Sequence, residues 1–381
     1  MNLKQTLIVL AIVLVVAGAL VYLGNLSKPA ESPASGEAAA TAGPPRPAGP
    51  VIEIKAPLGL PPVPIPAYNP PTAATIALGR KLYYDPRLSV DNTVSCATCH
   101  HPDHGFADDT ALSFGVKNQA GTRNSPTVLN TAYYTLQFWD GRAGTLEKQA
   151  EGPVENPVEM AHTLAGVEKK LAEDPEYVRL FAAAYGPGPI TFAKVECAIA
   201  SFERTVIAGN SPFDRYYYGG DKTALSPAAQ RGLKVFLAKD KGNCATCHTV
   251  GEKYALFTDN KFHNIGIGAD TRGNLADLGR YTVTKVEADK GAFKTPSLRN
   301  IALTAPYMHD GSLKTLKDVV DYYVTGGNSN PYLDKEMKPL SHLSFQERRD
   351  LVAFLESLTG ELPPGVGDPA RETAKPAQKG L

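Results

Sequence analysis

After Met-Asn-Leu-Lys-Gln the chain runs from Leu7 to Leu23 without a charge. Thr6 to Gly24 is long enough to cross a hydrocarbon core as one helix, and Lys4 marks its cytoplasmic side. We read residues 1–26 as a membrane anchor or signal segment. The run exceeds a usual signal-peptide core and no small-x-small site follows Leu23, which favours an uncleaved transmembrane helix. Residues 27–70 are rich in Pro, Ala, Gly and Ser, including Pro44-Pro45-Arg46-Pro47, and predict a partly extended tether of the polyproline type. The same character returns at 361–381 and predicts a disordered tail.

Between these ends the pattern is helical. Ser226-Pro227 reads as a cap followed by proline in the first turn, and Gly232 in the segment that follows suits close helix packing. Near the end, Ser344 and Glu347 form a capping box, Leu351, Val352, Leu355 and Leu358 form the buried stripe, and Gly360 stops the helix. Alternating strand patterns are scarce and turn residues frequent, so the fold class is mainly α and loop-rich. A repeat is also visible. Ala77-Leu78-Gly79-Arg80-Lys81-Leu82-Tyr83-Tyr84 leads to Cys-Ala-Thr-Cys-His at 96–100. Gln230-Arg231-Gly232-Leu233-Lys234-Val235-Phe236-Leu237 leads to the same five residues at 244–248. The repeat predicts one domain over 71–222 and a second over 223–360.

The 39 basic and 39 acidic side chains cancel, which argues against nucleic acid as a partner. Five cysteines in 381 residues do not make a disulfide framework. Four of them form the two Cys-x-x-Cys-His motifs, the attachment signature of c-type haem. Two thiols add to the vinyl groups on one porphyrin edge, and the adjacent imidazole reaches the iron. Cys96, Cys99 and His100 would hold one haem c, and Cys244, Cys247 and His248 a second. A zinc or redox Cys-x-x-Cys is the rival, but two identical copies behind an export segment disfavour it. Cys197, in a helical stretch, reads as a small buried apolar residue.

Several separated motifs resemble the bacterial di-haem cytochrome c peroxidases, and within them the methylamine-utilisation branch. They are Arg123-Asn124-Ser125-Pro126-Thr127, Phe138-Trp139-Asp140-Gly141-Arg142, Phe262-His263-Asn264-Ile265-Gly266 and the run from Lys294 to Gly311. The resemblance spans roughly residues 71 to 360. It implies two cytochrome c-like haem domains, peroxide reacting at the amino-terminal haem and electron transfer at the other. It also implies that Trp139 lies between the haems, that Glu159 and Gln149 belong to the distal pocket, and that Asn124, Thr304 and Pro306 hold a calcium ion between the domains.

Two departures fix the expected subtype. Ordinary members carry a Gly-His pair whose histidine blocks the peroxidatic iron at rest; here the pair is Gly115-Val116, and valine cannot ligate. His101 and His104 are the alternative ligands. Ordinary members ligate the second haem with a methionine; that position falls on Tyr323, with Met308, Met337 and the neighbouring Tyr322 as competitors. A phenolate lowers the potential relative to a thioether. The expectation is a periplasmic di-haem peroxidase anchored in the inner membrane by residues 6–24. It would use hydrogen peroxide to oxidise a protein substrate or a cytochrome c. A conventional cytochrome c peroxidase and a non-catalytic di-haem carrier are the rivals.

Overall fold

The computed structural model describes residues 44–370. The expected anchor at 6–24, the first part of the tether and residues 371–381 lie outside them. No helix among the described residues is long and apolar enough to cross a membrane.

Seven helices of nine or more residues carry the described fold: α1 Ala73–Tyr84, α2 Leu164–Ala172, α3 Pro175–Tyr185, α4 Phe192–Glu203, α5 Pro227–Leu237, α6 Leu316–Thr325 and α7 Phe345–Glu356. The expected caps form. Ser226 Oγ accepts from Ala229 N, and Ser344 pairs reciprocally with Glu347. The ladder between β1 (Phe262–His263) and β2 (Phe293–Lys294) is two residues long and antiparallel. The mainly helical, loop-rich reading therefore holds.

One core gathers Leu78, Leu82, Val116, Val167, Phe181, Val195 and Ile199; another gathers Phe213, Leu233, Phe236, Phe257, Val320, Leu351 and Phe354. The repeat is built at their centres. α1 packs on α4 and α5 on α7, each with a glycine at the crossing. A Cβ on Gly79 would stand 1.8 Å from the Ala198 carbonyl oxygen, and one on Gly232 would stand 1.9 Å from that of Asp350. Each glycine lets a facing backbone occupy the place of a side chain.

A second repeat, unseen in the sequence reading, follows each core. Asn130 and Asn300 are both left-handed, as are Phe138 and Met308 and then Gly141 and Gly311. The bridge between Gln137 and Ala143 matches that between Tyr307 and Leu313. Thr145 and Thr315 then cap helical turns that begin at Leu146 and Leu316. In this register Trp139 corresponds to His309 and Pro153 to Tyr323.

Residues 44–70 are extended, as proline demands, but they are not a free tether. Val51 bridges Thr72, and Leu60 packs with Tyr133 and Ile207. Asn69 is buried, with its amide on Glu147 and the Cys197 carbonyl. Extended backbone has no ladder of its own, so its carbonyls need external donors. Tyr133 supplies Pro61, Arg204 supplies Pro64 and Arg299 supplies Gly59. Likewise residues 361–370 of the expected disordered tail are held: Val366 is buried, and Tyr84 and Arg80 donate to the Val366 and Gly367 carbonyls.

Arg299, 2% exposed, ties the second core to this segment. Its guanidinium grips Asp214 through two 2.9 Å bonds and donates to the Ala255 carbonyl.

Gly79→Ala and Gly232→Ala should each lower stability by at least the ~1–3 kcal/mol typical of overpacking, read from denaturant melts of the holoprotein. Asp214→Ala strands a buried guanidinium and should cost about 3–5 kcal/mol in the same assay. Wild-type midpoints in the glycine variants would mean that the crossings relax freely.

Candidate active site

The first motif sits on a single helical turn, Cys96–Cys99, opened by a capping box between Ser95 and Thr98. Three-residue spacing sets both thiols on one side of that turn. His100 closes it, its N–H on the Cys96 carbonyl at 3.0 Å. The second motif repeats the device, with His248 N on the Cys244 carbonyl at 2.9 Å. Burial lowers the pKa of both imidazoles, which keeps them neutral as ligation requires. Burial also raises the thiols, Cys99 to about 11 and Cys244 to about 12. His248 Nδ1 lies 2.9 Å from the Phe257 carbonyl oxygen. That contact favours a proton on Nδ1 and leaves the Nε2 lone pair for iron.

Cys96, Cys99 and His100 face a cavity of about 460 Å³. Leu88, Val94, Val154 and Ile199 give it apolar walls; Gln149, Glu159, Trp139, Arg123, Glu203 and Lys294 give it polar ones. Space, paired thiols and a neutral imidazole suit a covalently attached haem. Pro153, at the position corresponding to Tyr323, also lines it, and its side chain has no donor atom for iron.

Glu159 reaches the cavity on the turn after Asn156. Burial raises its pKa, against the lowering effects of the Asn156 hydrogen bond and Arg142. Asn156 Nδ2 donates to its carboxylate at 2.6 Å. The Gly115-Val116 segment lies directly against it: Val116 N donates to the Glu159 carbonyl, and a Cβ on Gly115 would collide with Val158 and Glu159. Val116 itself is buried in the first core. Gln149 ends a turn capped by Thr145. His101 caps a neighbouring turn by accepting from Asp103 N, and the partly exposed His104 lies beside Asp109.

Trp139 is pinned at the seam between the two repeats. Its Nε1 donates to the Asn124 carbonyl at 2.9 Å, and its own carbonyl accepts from Lys294 N. Its ring meets His309, its counterpart in the second repeat, edge-on at 6.5 Å. His309 stacks on Phe293 at 3.6 Å, and its carbonyl accepts from Asn124 N. Asn124 is thus fixed against the segment that carries Thr304 and Pro306. Its Nδ2 is given to the Thr110 carbonyl, so Oδ1 is the side-chain atom suited to a cation.

In the second half, Tyr323 is half-buried on α6, and its pKa is raised by desolvation and by the nearby Cys244 and Cys247. The Tyr322 hydroxyl is committed elsewhere, donating to the Ile265 carbonyl and accepting from Asn328 N. Met308 occupies a left-handed turn in the place of Phe138, and Met337 packs beside Gly327. The structure therefore brings Tyr323, rather than Tyr322, to the second cysteine pair. Cys197 is buried, as expected.

Sequence reasoning missed three groups. Glu203 lines the cavity, 5% exposed, and burial raises its pKa to about 8. Lys294 opens the run from Lys294 to Gly311, but nothing in the sequence signals its burial. His263 lies between Asp334 and Asp259 beside Cys247; hydrogen bonds from its ring to the Cys247 sulfur and the two carboxylates raise its pKa to about 10. Thioether formation at Cys247 would leave the carboxylates as the cause. It would also remove the free sulfur from the Cys247–Asp259–His263 cluster, which as a free thiol set resembles a metal site.

A di-haem cytochrome c peroxidase family model matches residues 73–223, and a cytochrome c model matches 229–359. The methylamine utilization protein MauG of Methylorubrum extorquens is 44% identical over 300 residues, covering 78% of this chain and 82% of that protein. Cytochrome c551 peroxidase of Pseudomonas aeruginosa is 40% identical, over 75% and 79% respectively. Among solved structures, a MauG-like protein associated with microbial copper homeostasis superposes with a TM-score of 0.77 at 33% identity, covering 84% of this chain and all of that one.

Asn156→Ala removes the bond that favours the Glu159 carboxylate, so the pKa of Glu159 should rise further. The check is an infrared titration of its carboxyl band, assigned by loss in Glu159→Gln. An unmoved midpoint would show that Asn156 does not set it.

Proposed function

The chain belongs to the di-haem cytochrome c peroxidase family, oxidoreductases with two haem c groups, and on that premise we propose a peroxidase of the methylamine-utilisation type. In this reading peroxide reacts in the amino-terminal cavity without prior reduction, and the second half supplies the electrons. The observation that carries the reading is the pair of corresponding positions: Pro153 at the first site, Tyr323 at the second.

We assign the amino-terminal haem to Cys96, Cys99 and His100, in the domain of residues 71–222. The other goes to Cys244, Cys247, His248 and Tyr323, in the domain of residues 223–360. When bound, the haem supplies the iron at which the O–O bond breaks. Glu159 takes a proton from the near oxygen of hydrogen peroxide and returns it to the departing one. Asn156 holds the carboxylate that receives this proton. Gln149 orients the peroxide from the same wall. Trp139, clamped through Nε1 and its carbonyl, carries the electron from the second half toward the first. Tyr323 would hold the second iron as a phenolate, a hard anion that favours oxidised iron over reduced.

Asn124 Oδ1 with the Thr304 and Pro306 carbonyls offers only oxygen donors, which suits a calcium ion at the seam. The electron donor is a protein side chain or a small cytochrome c in the periplasm, with residues 6–24 as the inner-membrane anchor. The conventional peroxidase is the second reading; 40% identity to the Pseudomonas aeruginosa enzyme favours it.

EPR of the resting ferric protein should show one high-spin and one low-spin haem. Two low-spin signals would mean that the first iron is closed, and the conventional reading would replace ours. Glu159→Gln should slow the reaction with peroxide by roughly 10²- to 10⁴-fold in stopped flow while leaving both haems attached. Tyr323→Phe should convert the low-spin signal; a signal unchanged by it removes the tyrosine ligand.

A further inference from the structure

The cavity wall holds a cation whose counter-charge is missing from the polypeptide. Lys294 is 6% exposed. Its ammonium donates to the Leu136 carbonyl oxygen at 2.8 Å and lies 3.6 Å from the centre of the Tyr134 ring. Among the described residues no carboxylate is within ion-pair reach of it. The other cavity cations are matched: Arg123 bonds Asp140 and Asp277, and Arg142 bonds Asp140. An ammonium has three donors, and a carbonyl and a ring do not repay its desolvation. Burial draws its pKa down to about 7, with Asp140 acting weakly the other way.

Its position says what could complete it. A haem tied at Cys96 and Cys99 has its vinyl-derived edge there, and the two propionates extend from the opposite edge. Lys294 sits at the Trp139 end, its N–H on the Trp139 carbonyl at 2.8 Å.

We propose that Lys294 is the ion-pair partner of a propionate of the amino-terminal haem, and so ties that haem's carboxylate edge to the backbone that carries Trp139. The inference rests on that haem filling the cavity, as assigned above. Lys294 is a positioning residue: it sets haem charge and tilt and touches no peroxide.

The test uses the full holoprotein with Lys294→Met and Lys294→Arg. Two haems per chain by the pyridine haemochrome assay should persist in all forms, because the thioethers hold them. In Lys294→Met the midpoint potential of the high-spin haem should fall, since a positive charge that opposes ferric iron is gone. The propionate bending mode in resonance Raman should shift with it, and Lys294→Arg should restore both toward wild type. A potential and propionate mode unmoved by Lys294→Met would overturn the proposal. If the variants fail to fold, the wild type still decides. The proposal requires the propionate mode to move on exchange into D₂O and, in a crystal of the holoprotein, Nζ within hydrogen-bond distance of a propionate oxygen. Loss of the high-spin haem signal in the wild type would instead count against the cavity assignment.

Discussion

Desolvating burial of ionisable groups is the constraint around which the amino-terminal half is organised. Its cavity is walled by an amine, carboxyls, thiols and an imidazole, all held where the charged state is disfavoured. A protein interior tolerates such groups when they neutralise or find partners. The same desolvation lowers the pKa of both imidazoles and raises that of Glu159.

The two halves share more backbone than sequence. Left-handed residues, a bridge, a capping threonine and a following helical turn recur in the same order. What differs is the side chain each turn presents: Pro153 in one, Tyr323 in the other. The paired aromatics Trp139 and His309 meet where the halves adjoin, so the repeat that builds two similar sites also brings one ring of each into contact.

Much of this was legible because it is local. The Cys-x-x-Cys-His motifs, the caps at Ser226 and Ser344 and the glycine at 232 follow from spacing alone. Choosing between Tyr322 and Tyr323 needed the fold, since only there is the Tyr322 oxygen seen spent on Ile265 and Asn328. The extended segment before Asn69 was misjudged for a clear reason. Composition reports that it cannot build a core of its own, but not that Arg204, Arg299 and Tyr133 wait to receive its carbonyls. Glu203 and Lys294 escaped because burial of a lone charge leaves no trace in periodicity.

That extended segment bears on rate. It lies against Ile207 and Tyr133 on one side and against Ala255 and Arg299 on the other, and the Arg123–Asp277 pair fastens the halves again. Tunnelling between two redox centres decays steeply with separation, so a joint free to swing would scatter its own turnover. A belt of proline, stiff by covalent design, holds that gap at one width.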